Sequence, residues 1–152
     1  MSTQPLIHRI ATWWQPIDRL LDAAQPLGAL LARLYIAQVF FLSGLTKIRD
    51  WDTTLLLFTE EYHVPLLPPA MAAVMGTVGE LALPVLLVLG LAGRFSALGL
   101  SVVNVVAVLS LSEIAPAALQ QHLTWGALLA ALALFGPGRW SLDHWLGGRL
   151  RS

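Results

Sequence analysis

The stretch "LLPPAMAAVMGTVGELALPVLLVLGLAG", residues 66–93, carries a single charge, that of Glu80. An α-helix needs about 20 largely apolar residues to cross the hydrocarbon core of a bilayer, and this stretch is long enough. Three others match it. From Ala23 to Thr46 the only charge is Arg33, from Phe95 to Ser112 there is none, and from Ile114 to Gly138 there is none. The pattern predicts four spans, near residues 28–47, 68–90, 94–112 and 118–136, and an all-α, integral membrane four-helix bundle.

Composition agrees. Of 152 residues 57% are hydrophobic and 12% charged, with a mean hydropathy of +0.70, whereas about a quarter of a soluble domain is charged. Nine basic residues balance nine acidic ones, so nothing marks a nucleic-acid surface, and the bilayer is the expected partner. The absence of cysteine excludes disulfides, thiolate nucleophiles and cysteine-held metals, leaving any redox chemistry to a bound cofactor, a metal or a partner. A cleaved signal peptide does not fit the first span, which follows a polar segment of roughly 27 residues and outruns an h-region of about 7 to 15.

Basic residues give the expected orientation. Arg9, Arg19, Arg33, Arg94, Arg139, Arg149 and Arg151 fall on one side, and only Lys47 and Arg49 on the other, which predicts cytoplasmic termini. Trp13, Trp14, Trp140 and Trp145 are then expected at the inner interface, and Trp51, Tyr62 and Trp125 at the outer one. Two further segments have helical periodicity. Trp51, Leu55, Phe58 and Tyr62 form an apolar stripe with Asp52, Glu60 and Glu61 away from it, predicting an outer amphipathic helix between the first two spans. Ile10, Trp13, Ile17, Leu20, Leu21 and Ala24 do the same before the first span, predicting an N-terminal interfacial helix with Pro16 near its start. The chain divides into a cytoplasmic segment 1–27, a membrane domain 28–146 and a short basic tail 147–152.

A carboxylate near the bilayer centre costs about 2.5 to 3.5 kcal/mol on insertion scales, so Glu80 should face the bundle. Ala73, Gly76 and Thr77 share its face, and such small residues admit a neighbouring helix. Pro84, one turn on, deprives the Glu80 carbonyl of its helical donor. Counting along the helices puts Asn104 at the depth of Glu80, with Arg33 about 7 Å shallower and within stretching distance. Lys47, on the Arg33, Ala37, Phe40, Gly44 face, should sit too far out to join them. Thr77 or Asn104 could instead bond a neutral Glu80 that merely holds helices together. His8, His63, His122 and His144 lack ligand spacing, and no metal site is expected.

The stretches "RLYIAQVFFLSGLTKI" (33–48), "GTVGELALPVLLVLGLAGR" (76–94) and "GPGRWSLDHWL" (136–146) together resemble the DoxX family of small four-helix membrane proteins. The family's arginine, its glycine and lysine at the end of the first span, and its second-span acid fall on Arg33, Gly44, Lys47 and Glu80; Ala37 stands where glycine is frequent. The resemblance implies a bacterial inner-membrane protein linked to respiratory or sulfur redox chemistry or to oxidative or metal stress, with quinone as a candidate cofactor and a membrane or periplasmic redox partner. Thiol exchange is excluded by the lack of cysteine. The resulting expectation is a pocket centred on Glu80, the candidate proton carrier, with Arg33, Gly44, Lys47, Thr77 and Asn104 as candidate ligand-binding residues. A non-catalytic scaffold for a partner complex is the rival, and homo-oligomerisation is left open.

Overall fold

A computed structural model describes the backbone of residues 4–149 and the side chains of residues 13–147. His8, Arg9, Ile10 and Arg149, as side chains, and Arg151 altogether lie outside the described residues. Six helices follow one another: α1 Gln4–Arg49, α2 Trp51–Glu60, α3 Pro69–Leu89, α4 Gly93–Ser110, α5 Pro116–Phe135 and α6 Leu142–Arg149. Four of them, α1, α3, α4 and α5, are long and apolar enough to cross a membrane. They close into a ring in which α1 packs on α3, α3 on α4, α4 on α5, and α5 back on α1. Apolar side chains such as Leu34, Val78, Leu98 and Leu134 are exposed on the outside of this ring, which is the lipid-facing surface.

Two features differ from expectation. The N-terminal segment is helical but continuous with the first span, and α1 runs through both Pro16 and Pro26. A proline removes one helical hydrogen bond, and the Ala- and Leu-rich sequence around Pro26 sustains the helix across that gap. Trp125, expected at an interface, lies halfway along α5. Its indole N–H donates to the Tyr35 hydroxyl at 3.2 Å, and its ring packs edge-on against Phe40 and His122. A polar partner inside the bundle removes the reason for an indole to seek the headgroups.

The main core joins Ile36 and Phe40 of α1, Leu87 of α3, Ala97 and Leu100 of α4, and Leu129 and Leu132 of α5. A smaller cluster sits at the other end, where Phe58 of α2 packs on Ala72 and Ala73 of α3, flanked by Trp51, Leu55 and Tyr62. This is the apolar stripe of the amphipathic segment, turned onto the bundle mouth while Asp52, Glu60 and Glu61 remain exposed. Asp50 caps α2, accepting from the Thr53 backbone N–H at 3.0 Å and hydroxyl at 2.7 Å. These bonds hold its carboxyl below the ordinary range, the side-chain bond foremost. Thr54 donates back to the carbonyls of Lys47 and Asp50. The turn from α1 into α2 is thus tied down, and α2 becomes a lid.

Candidate functional site

Glu80 is buried in the middle of α3, 7% exposed, and its partner is Lys47. The ammonium donates to both carboxylate oxygens, at 2.9 and 2.7 Å, and to the Ser43 hydroxyl at 2.9 Å. Its three N–H groups are therefore all used. The side chains of Lys47 and Glu80 are 19% and 10% exposed, so the pair is shielded but not sealed. Among the described residues it is the one ion pair. Two facts of packing bring it about. Gly44 lies against α3 so closely that a Cβ there would stand 2.8 Å from Leu81 Cγ and 3.1 Å from Glu80 Cβ. Counting outward from that contact, α1 ends while α3 still has about two turns to run, and α2 covers those turns. Glu80 thus meets the last turns of α1, where Lys47 stands. Depth counted from each helix end misses this stagger, which is why Lys47 appeared out of reach.

Arg33 and Asn104 go elsewhere. Arg33 is 2% exposed and spends its donors on main-chain carbonyls. Nε bonds Leu87 at 2.9 Å, one terminal nitrogen bonds Pro137 at 2.7 Å and Trp140 at 2.8 Å, and the other bonds Val88. The carbonyls of Leu87 and Val88 belong to the last turn of α3, where the Leu87 oxygen also accepts from the Gly90 N–H at 3.1 Å and a cation meets the negative end of the helix dipole. Asn104 donates to the His122 carbonyl at 3.0 Å and faces His122 Nδ1 through its side-chain oxygen at 2.8 Å, joining α4 to α5. The expected cluster of Arg33, Glu80 and Asn104 does not form, because each of the outer two finds partners on its own level. Thr77 is buried with its hydroxyl bonded to the Ala73 carbonyl at 2.7 Å, not to Glu80.

Two residues outside the expected set of site residues complete the picture, Tyr62 having been expected only as an interfacial aromatic on the amphipathic stripe. Tyr62, at the end of the lid, is half-buried; burial, then the charges of Glu61 and Glu80, raise its phenol above the ordinary tyrosine value of 10.0. At the opposite end both oxygens of Asp143 accept from the start of α4, from Ala92 N–H at 2.8 Å and Gly93 N–H at 2.7 Å. The signal for Asp143 is an absence: "LAGRF" opens α4 without a Ser, Thr, Asp or Asn of its own to cap it. Gly90, in the left-handed conformation at φ 64°, lets the segment after α5 approach, since a Cβ there would meet Ser141 Cβ at 2.4 Å.

Beneath the pair, the α1–α3 seam opens towards lipid as a groove of about 340 Å³ lined by Leu34, Ala37, Gln38, Phe41, Pro84, Val85, Val88 and Leu89. Pro84 stands one helical turn from Glu80. The site thus combines a partly accessible charged pair, a lid that carries Tyr62, and an apolar groove starting nearby.

No curated protein and no solved structure matches this chain. The sequence model of the DoxX family matches residues 28–113, a stretch covering most of α1's span, the lid, α3 and α4, with the Lys47–Glu80 pair inside it. With more than half of its length matched and four spans of the expected kind, the chain belongs to the DoxX family.

Proposed function

We propose that this chain is a redox-associated membrane subunit that holds the polar head of a small lipid-soluble ligand of the quinone type at the Lys47–Glu80 pair. The observation that carries this reading is a charged pair satisfied by side chains alone, partly exposed, one turn above an apolar groove open to lipid. The residues suit such a ligand. The Lys47 ammonium can donate to a carbonyl oxygen, the Glu80 carboxylate can accept from a hydroxyl, and the groove can take an apolar tail. Bound there, a quinone would supply the electron chemistry that a chain without cysteine lacks. Glu80 would take up or release the accompanying proton, and Lys47 would hold the carboxylate in place between exchanges. Electrons would come from a membrane or periplasmic redox partner. The termini are cytoplasmic by the distribution of arginines, in a bacterial inner membrane.

A second reading, a non-catalytic scaffold or assembly protein, alone or as a homo-oligomer, is favoured by one observation: among the described residues no buried side-chain polar atom lacks a partner. The two separate on titration of the full chain in lipid nanodiscs with a short-chain quinone, read by tryptophan fluorescence. The ligand reading expects saturable binding, weakened roughly tenfold by Glu80→Gln or Lys47→Met, as the loss of a charge-assisted hydrogen bond would produce. Binding that ignores both substitutions, or no binding, leaves the scaffold.

A further inference from the structure

At the end of the bundle remote from Lys47 lies a second cavity, of about 380 Å³, between α1, the start of α4 and the segment joining α5 to α6. Its polar lining carries two arginines, Arg94 and Arg139, with Gln25, Ser141 and His144 beside them. Among the described residues neither arginine has a hydrogen-bond or ion-pair partner. The one acid in the lining, Asp143, accepts with both oxygens from the N–H groups of Ala92 and Gly93 and forms no ion pair with either arginine, so its charge offsets theirs only in part. Arg94 lies over Gly136, its Nε 3.4 Å from where a Cβ would stand. The wall is also held in shape from behind, since Arg33 bonds the carbonyls of Pro137 and Trp140.

The surroundings place this cavity at a membrane surface. Trp140 and Trp145 are exposed beside it, and indoles favour the headgroup level. Phe135, which lines the cavity, is 77% exposed at the end of a membrane-spanning helix, where an acyl chain would run. A basic recess between spanning helices at headgroup depth has the chemistry to hold a lipid phosphate: fixed guanidinium donors for its oxygens and an apolar flank for its chain.

We infer that the cavity lined by Arg94, Arg139 and His144 binds the phosphate of an anionic phospholipid. Arg94 and Arg139 donate to the phosphate oxygens, and His144 lines the same recess. This site is separate from the Lys47–Glu80 pair and does not depend on what that pair binds.

The test uses the full chain in mild detergent, titrated by native mass spectrometry in separate arms with short-chain phosphatidylglycerol, short-chain phosphatidylcholine and inorganic phosphate. Phosphatidylglycerol should bind in preference to phosphatidylcholine at one tight site, and Arg94→Gln with Arg139→Gln should weaken it roughly tenfold. Arg19→Gln, an exposed arginine on the N-terminal part of α1, should leave it unchanged. If the double variant fails to fold, Arg139→Gln alone, an exposed side chain without a partner, should still weaken binding severalfold. Equal affinity for the two lipids, or unchanged phosphatidylglycerol affinity in the arginine variants, would overturn the inference. Inorganic phosphate bound as tightly as phosphatidylglycerol would overturn the lipid as the source and leave a soluble phosphate site.

Discussion

The two ends of the bundle satisfy a buried charge in opposite ways. Arg33 is met by four main-chain carbonyls from α3 and from the segment after α5; Glu80 is met by one flexible side chain, that of Lys47. A charge held by backbone cannot let go unless the chain around it moves, because every partner belongs to a helix end or a loop. A charge held by a lysine on a four-carbon stem can exchange that partner for a ligand or a proton at the cost of a rotamer change. The difference separates a charge fixed by backbone from one held by a side chain, although both are intramembrane charges on helices that touch.

The largest expected effect tests the first half of that contrast. Arg33→Met keeps the length of the side chain and removes one donor from each of four buried or half-buried carbonyls, which should lower unfolding stability by about 3 kcal/mol or more. Denaturant unfolding in mixed micelles measures it. A loss below about 1 kcal/mol would mean that the Arg33 end is held by something else. Next comes the seam that brings α1 to Glu80. Gly44→Leu has no room against Leu81 and should cost about 1 to 3 kcal/mol through overpacking, while also weakening quinone-analogue binding by displacing Lys47. Binding that survives a clear loss of stability would uncouple the close approach from the pair.

Much of this arrangement was legible in the sequence. Spacing between charges located all four spans, and the period of Trp51, Leu55, Phe58 and Tyr62 located the lid and its buried face. Arg33 and Glu80 stood out because a charge inside an apolar run requires a partner. What could not be read was which partner, because that depends on how far one helix is slid along another. The stagger set by Gly44 against Leu81 moved Lys47 onto Glu80, and a hydrophobic pattern repeats along a helix without fixing that slide. The grip on Arg33 was equally hidden, since Pro137 and Trp140 lie 104 and 107 residues away from it and offer only their backbones. Asn104 matched Glu80 in depth, but depth leaves open which neighbour a side chain faces, and His122 was the neighbour.

The smallest expected effect concerns the lid. Tyr62 titrates above the ordinary tyrosine value of 10.0 because of its burial and the charges of Glu61 and Glu80. The folded state therefore binds this proton more tightly than the unfolded chain does. The resulting stabilisation is present below the unfolded value and is lost as pH rises through the folded one. Tyr62→Phe should flatten the alkaline limb of the stability profile between about pH 9 and 12, and leave neutral pH nearly unchanged. An unaltered alkaline limb would place the phenol outside the influence of the mouth.

The contrast between the two ends is tested most directly by a pair of double-mutant cycles on unfolding stability in one lipid mixture, one combining Glu80→Gln with Lys47→Met and the other combining it with Arg33→Met. The first cycle should show a coupling of roughly 0.5 to 3 kcal/mol, as for residues in contact, and the second should be additive within about 0.5 kcal/mol. Coupling of Glu80 to Arg33 with none to Lys47 would contradict the account.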